Sequence, residues 1–239
     1  VSMLPDMMAV AVGMAWAFKL RGEQRCALSF FGDGATSVGD WHESMNLAGV
    51  QRVPVIFVLE HNGYAYSTPS ARQFAVDPLE RAATYGILGV EVDGNDVEAV
   101  FEVTREARER ALAGGGPTLI AARTMRMHGH GAHDDASYIP AELVEYWAAR
   151  DPIARQRERL RSLGVDVKAV EQAARESLSP LAFLDLLLTG QLERKDERRV
   201  TTMLKLSGLP PGKTLEDFDW GFQPKADRRQ IEALATCHY

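Results

Sequence analysis

Three short apolar runs constrain this chain more than any other feature: "CALSFF" (Cys26–Phe31), "VPVIFVLE" (Val53–Glu60) and "PTLIAARTM" (Pro117–Met125). Each reads as a strand, and the second, apolar up to Glu60, as one buried in the core. Segments of helical length separate them. "NDVEAVFEVTREARERALAGG" puts Val97, Val100, Phe101, Thr104, Ala107 and Ala111 on one helical face. "DPLERAATYG" reads as a short helix opened by Asp77 and Pro78 and closed by Gly86, with the strand-like "GVEVDG" after it. Met3 to Leu20 is apolar nearly all round, which predicts a buried helix. A helix from Trp41 to about Ala48 is expected to use Asp40 as N-cap and Glu43 to complete a capping box. Strands alternating with helices of this length predict an α/β fold, a parallel sheet with helices on both faces.

After Met125 the pattern changes. "RMHGHGAHDDASYIP" is a polar loop, and helices follow at about 141–149 and 152–163. From about Val165 the chain is Leu-rich and charge-dense without a strand, which predicts a small all-α tail. It runs into a Pro/Gly turn, "LSGLPPGKTLEDFDWGF", and a last helix from Asp227.

Composition narrows the function classes. Apolar residues make up 46% and charged residues 25%, enough for a real core. The net charge is −6, and basic and acidic side chains balance at nine each from Leu178 onward, so the acidity lies in the first 177 residues. A broad positive field for nucleic acid is therefore lacking. The apolar run "MMAVAVGMAWAF" is too short to span a membrane and is followed by Lys19 and Arg21. Cys26 and Cys237 lack metal-ligand spacing, so a cytoplasmic location is the expectation.

The candidate chemistry sits at strand ends. Asp33 lies between Gly32 and Gly34 in "FFGDGATSVGD", at the carboxyl end of a strand, the edge where open α/β sheets bind ligands. Asn62 lies at the same edge of the next strand, in "HNGY". An anionic and an amide oxygen facing each other there suit Mg²⁺, with the Tyr64 carbonyl as a third donor. An ordinary Asn-Gly turn accounts for "HNGY" equally. In the polar loop, His128, His130 and His133 with Asp134 and Asp135 are transition-metal ligands by type, or simply a solvated, mobile loop.

"GDGATSVGDWHESMNLAGV…PVIFVLEHNGYAYSTP" closely resembles the alpha subunit of thiamin-diphosphate-dependent 2-oxo acid dehydrogenases of the pyruvate, branched-chain and acetoin type. The likeness runs from about residue 2 to 164 and includes "ARTMRMHGHGAHDDASYIP". It implies a thiamin-diphosphate-binding domain over 1–164, with Mg²⁺ held by Asp33, Asn62 and the Tyr64 carbonyl. Gly32, Gly34 and Ala35 would pack on the diphosphate, and His130, with His128 beside it, would face the diphosphate and the substrate. Imidazoles there donate to phosphate or shuttle a proton. The chain starts where the family's pyrimidine-contacting segment lies, at about Ser2 and Leu4, so the upstream arm is expected to be missing and the fold incomplete. The resemblance further implies a beta subunit in an α₂β₂ assembly, supplying the glutamate that activates the cofactor, and a lipoyl acyltransferase component that takes the acyl group. The family has an asparagine pair where this chain has His61-Asn62, a departure bearing on cofactor positioning more than on metal binding. Gly131 stands where animal homologues carry a phosphorylated serine, so that switch is expected to be absent.

The tail has a different likeness. "PPGKTLEDFDW" and "QIEALATC", within 178–239, resemble the N-terminal segment of IstB-like insertion-sequence helper ATPases. "GLPPGKT" lacks the first glycine of a phosphate-binding loop and follows no strand, so nucleotide hydrolysis is not expected of it. These readings place a junction at 165–177 and leave two alternatives to the enzyme: a transposition-associated ATPase fragment and a non-functional composite reading frame.

Overall fold

The computed structural model describes residues 5–207 and, beyond them, Arg229. The chain divides into two compact units, residues 1–159 and 160–239. In the first, α1 (Met7–Leu20), β1 (Ala27–Gly32), a 3₁₀ turn (Asp33–Ser37), α2 (Gly39–Gln51) and β2 (Val55–His61) follow in order. A small hairpin of β3 (Tyr64–Ala65) and β4 (Thr68–Pro69) comes next, then α3 (Ser70–Gln73), α4 (Pro78–Thr84), β5 (Leu88–Asp93), α5 (Val97–Leu112) and β6 (Thr118–Arg123). After the histidine loop come α6 (Ala141–Ala148) and α7 (Pro152–Ser162).

β1, β2, β6 and β5 pair in that order, every pair parallel. The apolar runs of the central strands are explained by their two faces. Val55, Phe57, Leu59, Leu119 and Ala121 pack on the side of α1, α2 and α4, around Met8, Val12, Trp41, Met45 and Ala82. Ile56, Val58, Ile120 and Val92 point the other way, onto Val100, Val103 and Ala107 of α5. The expected α/β sheet with helices on both faces is thus present.

Several local expectations change. Asp40 is no cap: α2 begins two residues earlier than expected, at Gly39, and its N-cap is Val38, which makes no side-chain cap bond. Asp40 instead lies in the first turn, where a carboxylate suits the positive end of the helix dipole. α1 is not buried all round. It packs against β1, β2 and α2 on one side, while Met7 (61%) and Leu20 (77%) stay exposed. On α5 the buried stripe turns toward the small residues Ala99, Val100, Val103 and Ala107, leaving Phe101 63% exposed. Small side chains let a helix approach a sheet closely, and a phenylalanine in the contact would hold it off. The cap of α4 is as expected: Asp77 accepts from the Leu79 amide, and Gly86 closes the turn at φ +70°.

Arg52 terminates α2 in the left-handed region (φ 47°, ψ 47°). This position favours glycine, because a Cβ crowds the following carbonyl. Arg52→Gly is expected to raise the unfolding free energy by about 1 kcal/mol, with a shifted midpoint and unchanged slope in urea denaturation.

The second unit holds α8 (Val167–Glu176) and α9 (Pro180–Ser207), with no strand among the described residues. Asp166 caps α8 through the Lys168 amide and pairs with Arg194 at 2.6 Å. The expected Pro/Gly turn and the helix from Asp227 lie outside the described residues, as do "PPGKTLEDFDW" and "QIEALATC", apart from the single residue Arg229. Among the described residues no helix is long and apolar enough to cross a membrane.

Candidate functional site

Parallel register builds the site. Gly32 pairs with Glu60 and His61 with Arg123, so β1, β2 and β6 end together and their exits meet at one sheet edge. There an open cleft of about 400 Å³ is lined by Gly32, Asp33, Gly34, Ala35, Val38, Asn62, Tyr64, Ala65, Tyr66, Gln73, Arg126 and His130. That volume falls in the range of small-molecule pockets. Seven of the residues singled out from sequence lie on its wall: Gly32, Asp33, Gly34, Ala35, Asn62, Tyr64 and His130. His128 does not; its carbonyl accepts from Arg126 Nε. Ser2 and Leu4 lie outside the described residues.

Asp33 and Asn62 converge. The Tyr64 amide donates to Asp33 Oδ2 at 3.1 Å and to Asn62 Oδ1 at 3.0 Å. The Asn-Gly turn makes this possible, since Gly63 sits at φ +84°, where a side chain would be strained. Asp33 is 1% exposed. Its other oxygen, Oδ1, lies 2.6 Å from His61 Nδ1, an ion-pair distance, but the contact lacks hydrogen-bond alignment and neither atom has another partner. No atom fits between the two at that separation. Behind the turn, Thr36 Oγ1 donates to the Asp33 carbonyl, and Arg81 Nη1 donates to the Thr36 carbonyl at 2.8 Å. The Arg81 guanidinium lies over Trp41 and Phe74, and burial lowers its pKa from the usual arginine value.

The histidine loop is ordered around Arg126. Its guanidinium donates to the Tyr66 carbonyl at 2.7 Å, to the His128 carbonyl and to the Tyr138 hydroxyl, and approaches His130 Nδ1 at 3.4 Å. Asp134 accepts from the His130 amide, the Ala136 amide and the Tyr138 hydroxyl. The His130 amide foremost holds its carboxyl below the usual carboxylate range; burial opposes it, and Tyr138 and Ala136 add to the lowering. An added Cβ on Gly129 would collide with the Asp134 carbonyl, so the tight turn itself requires glycine. The His130 ring packs edge-on against Tyr66 at 5.2 Å. Among the described residues no group of three or more His, Cys, Asp or Glu is placed to hold a metal ion. The loop's histidines and aspartates are therefore not gathered as a transition-metal centre, and its internal bonds set it apart from a merely solvated loop.

Arg126 and Arg81 were missed at the sequence level. A lone Arg inside "TMRMHGH" reads as loop polarity, and an Arg on a short helix reads as solvated surface. Only the fold turns one toward the cleft and the other into the back of the Asp33 turn.

A family model described as "Dehydrogenase E1 component" matches residues 3–180. A second, "IstB-like ATP binding protein", matches residues 156–239. The chain is 45% identical over 157 residues to the 2-oxoisovalerate dehydrogenase subunit alpha, mitochondrial, of Bos taurus, covering 64% of this chain and 34% of that protein. It is 41% identical over 158 residues to the pyruvate dehydrogenase E1 component subunit alpha of Staphylococcus aureus, covering 65% and 43%. With the subunit of the same name from Bacillus subtilis the identity is 36% over 202 residues, covering 81% and 52%. The chain thus spans about a third to a half of the length of these curated relatives. Every cleft residue falls within the first family match, which takes in most of the sequence, and this chain belongs to the dehydrogenase E1 component family.

Proposed function

We propose that this chain is the alpha-subunit part of a thiamin-diphosphate-dependent 2-oxo acid dehydrogenase, and that its cleft holds the diphosphate end of the cofactor through Mg²⁺. The observation that carries the reading is the sharing of one amide, that of Tyr64, by the Asp33 and Asn62 side chains on the wall of the cleft. The donor set fits the group: one carboxylate and two neutral oxygens, Asn62 Oδ1 and the Tyr64 carbonyl, leave room for phosphate oxygens around a hard cation. A carboxylate accepts at about four sites, so Asp33 Oδ2 can meet such a cation besides the Tyr64 amide. The backbone of Gly32, Gly34 and Ala35 lies along the wall where a diphosphate would rest, and Arg126 adds a positive charge.

Bound thiamin diphosphate supplies a nucleophilic carbon and an electron sink for decarboxylation of a 2-oxo acid. The chain's own residues would anchor and orient. Asp33, Asn62 and Tyr64 hold the cation, and His130, fixed by Asp134, Arg126 and Tyr66, presents an imidazole to donate to phosphate or move a proton near the substrate. We read a separate beta subunit as the source of the activating carboxyl group. We read the acyl acceptor as a lipoyl group on an acyltransferase component.

Calorimetric titration with thiamin diphosphate tests the reading: binding is expected with Mg²⁺ and lost with a chelator. Binding indifferent to the cation would remove it. The purified chain alone is expected to show no turnover of pyruvate or a branched-chain 2-oxo acid, and steady decarboxylation by it would overturn the need for a beta subunit.

A further inference from the structure

We propose that His61 is the positioning residue of the cation centre: its Nδ1 holds Asp33 Oδ1 and so fixes the carboxylate that faces the cleft. The proposal rests on the reading of Asp33 as a cation ligand and deepens it. His61 is the last residue of β2, one of the two inner strands of the sheet, and its backbone is pinned on the β6 side by register with Arg123 and by the Thr124 amide, which donates to its carbonyl at 3.1 Å. Parallel register then decides what the side chain meets. Gly32 stands opposite Glu60, so the next residue of each strand, Asp33 and His61, come side by side. The imidazole is 6% exposed, and Phe74 lies edge-on to it at 5.9 Å, closing off solvent.

Asp33 has two oxygens with different duties. Oδ2 accepts the Tyr64 amide, while Oδ1 is met by His61 alone. With the Tyr64 amide on one oxygen and His61 Nδ1 2.6 Å from the other, turning the carboxylate plane would break a contact inside a buried environment, where an unpaired polar group is costly. Partners behind a ligating carboxylate of this kind typically contribute ten- to a hundred-fold in metal affinity. The residue type matters at one atom. Imidazole Nδ1 and the amide nitrogen of an asparagine stand at the same number of bonds from the backbone, and both can donate an N–H. His61 therefore keeps a donor beside Asp33 where the resembled family carries an asparagine, and adds a ring that packs on Phe74.

Mn²⁺ alone is the probe, titrated into the full chain and followed by the loss of its free electron paramagnetic resonance signal. His61→Phe, which keeps the ring and removes the donor, is expected to weaken Mn²⁺ binding about ten- to a hundred-fold. His61→Asn is expected to restore most of it, with circular dichroism showing both variants folded. Equal affinity of His61→Phe and wild type would overturn the proposal while leaving the cation centre intact. Nitrogen-14 coupling to bound Mn²⁺ in the wild type, lost in His61→Asn, would also overturn it, since the imidazole would then be a ligand. If Asp33→Ala binds Mn²⁺ as well as wild type does, the cation centre itself fails and the proposal with it.

Discussion

Asp33→Ala is expected to weaken Mg²⁺-dependent binding of thiamin diphosphate by two orders of magnitude or more, about 2.7 kcal/mol. The size follows from what the variant removes. Among the described residues Asp33 is the only acidic side chain on the wall of the cleft, so its loss leaves a divalent cation with neutral donors from this wall. Folding is expected to suffer less than binding, because the Tyr64 amide keeps Asn62 Oδ1 as an acceptor. Asp33→Asn separates the two effects. It keeps the shape and the acceptor for Tyr64 and removes the charge, so it should fold like wild type and still lose the cation. Isothermal titration with and without Mg²⁺ reads the binding, and thermal unfolding of the ligand-free variants reads the fold. Full binding by Asp33→Asn would mean that charge at this position is not what holds the cofactor.

Gly49→Ala is expected to destabilise the first unit by about 3 kcal/mol, measured as a lower midpoint in urea or on heating. Local propensity argues for the opposite sign, because alanine inside a helix is favoured over glycine by about 1 kcal/mol. The tertiary contact decides against it. An added Cβ at Gly49 would overlap the backbone carbonyl of Tyr85, and a backbone atom cannot swing aside as a side-chain tip can. Tyr85 is itself held where it is, with its hydroxyl 2.7 Å from His42 Nδ1 and its ring against Trp41. Relief would require α2 and the end of α4 to separate, opening the core around Trp41, Met45, Ala48 and Ala82. An unchanged or raised midpoint would show that this contact is softer than the geometry implies.

Strand and helix identities were legible because burial leaves a direct mark on composition. "VPVIFVLE" is apolar without interruption because β2 is buried on both faces, and the period of "VEAVFEVTREARERAL" marks a helix whatever it packs against. The choice of face was less legible. Val97, Phe101 and Thr104 extend the stripe that Val100 and Ala107 begin, yet the sheet takes Val100 and Ala107 together with Ala99 and Val103, where smaller side chains allow closer approach. The cap of α2 slipped for a similar reason. Capping patterns give an approximate start, and packing of Trp41 into the core sets the final turn.

The candidate site divides in the same way. Glycines flanking an acid, and an Asn-Gly pair at a strand end, are readable in one dimension because each meets a local backbone requirement. Asp33, Asn62 and the nearby Tyr64 were therefore open to notice as candidates from local sequence, whereas His130 was reached only through the family resemblance. Arg126, Arg81 and the contact of His61 with Asp33 were not, since their meaning depends on residues 28 to 60 positions away. Local chemistry along the chain determined which segments are strands and which residues are equipped to bind. Only the tertiary structure decided, through parallel register between β1, β2 and β6, which of those residues stand close enough to act together. Register is a property of paired strands, and no single segment encodes the partner it will face.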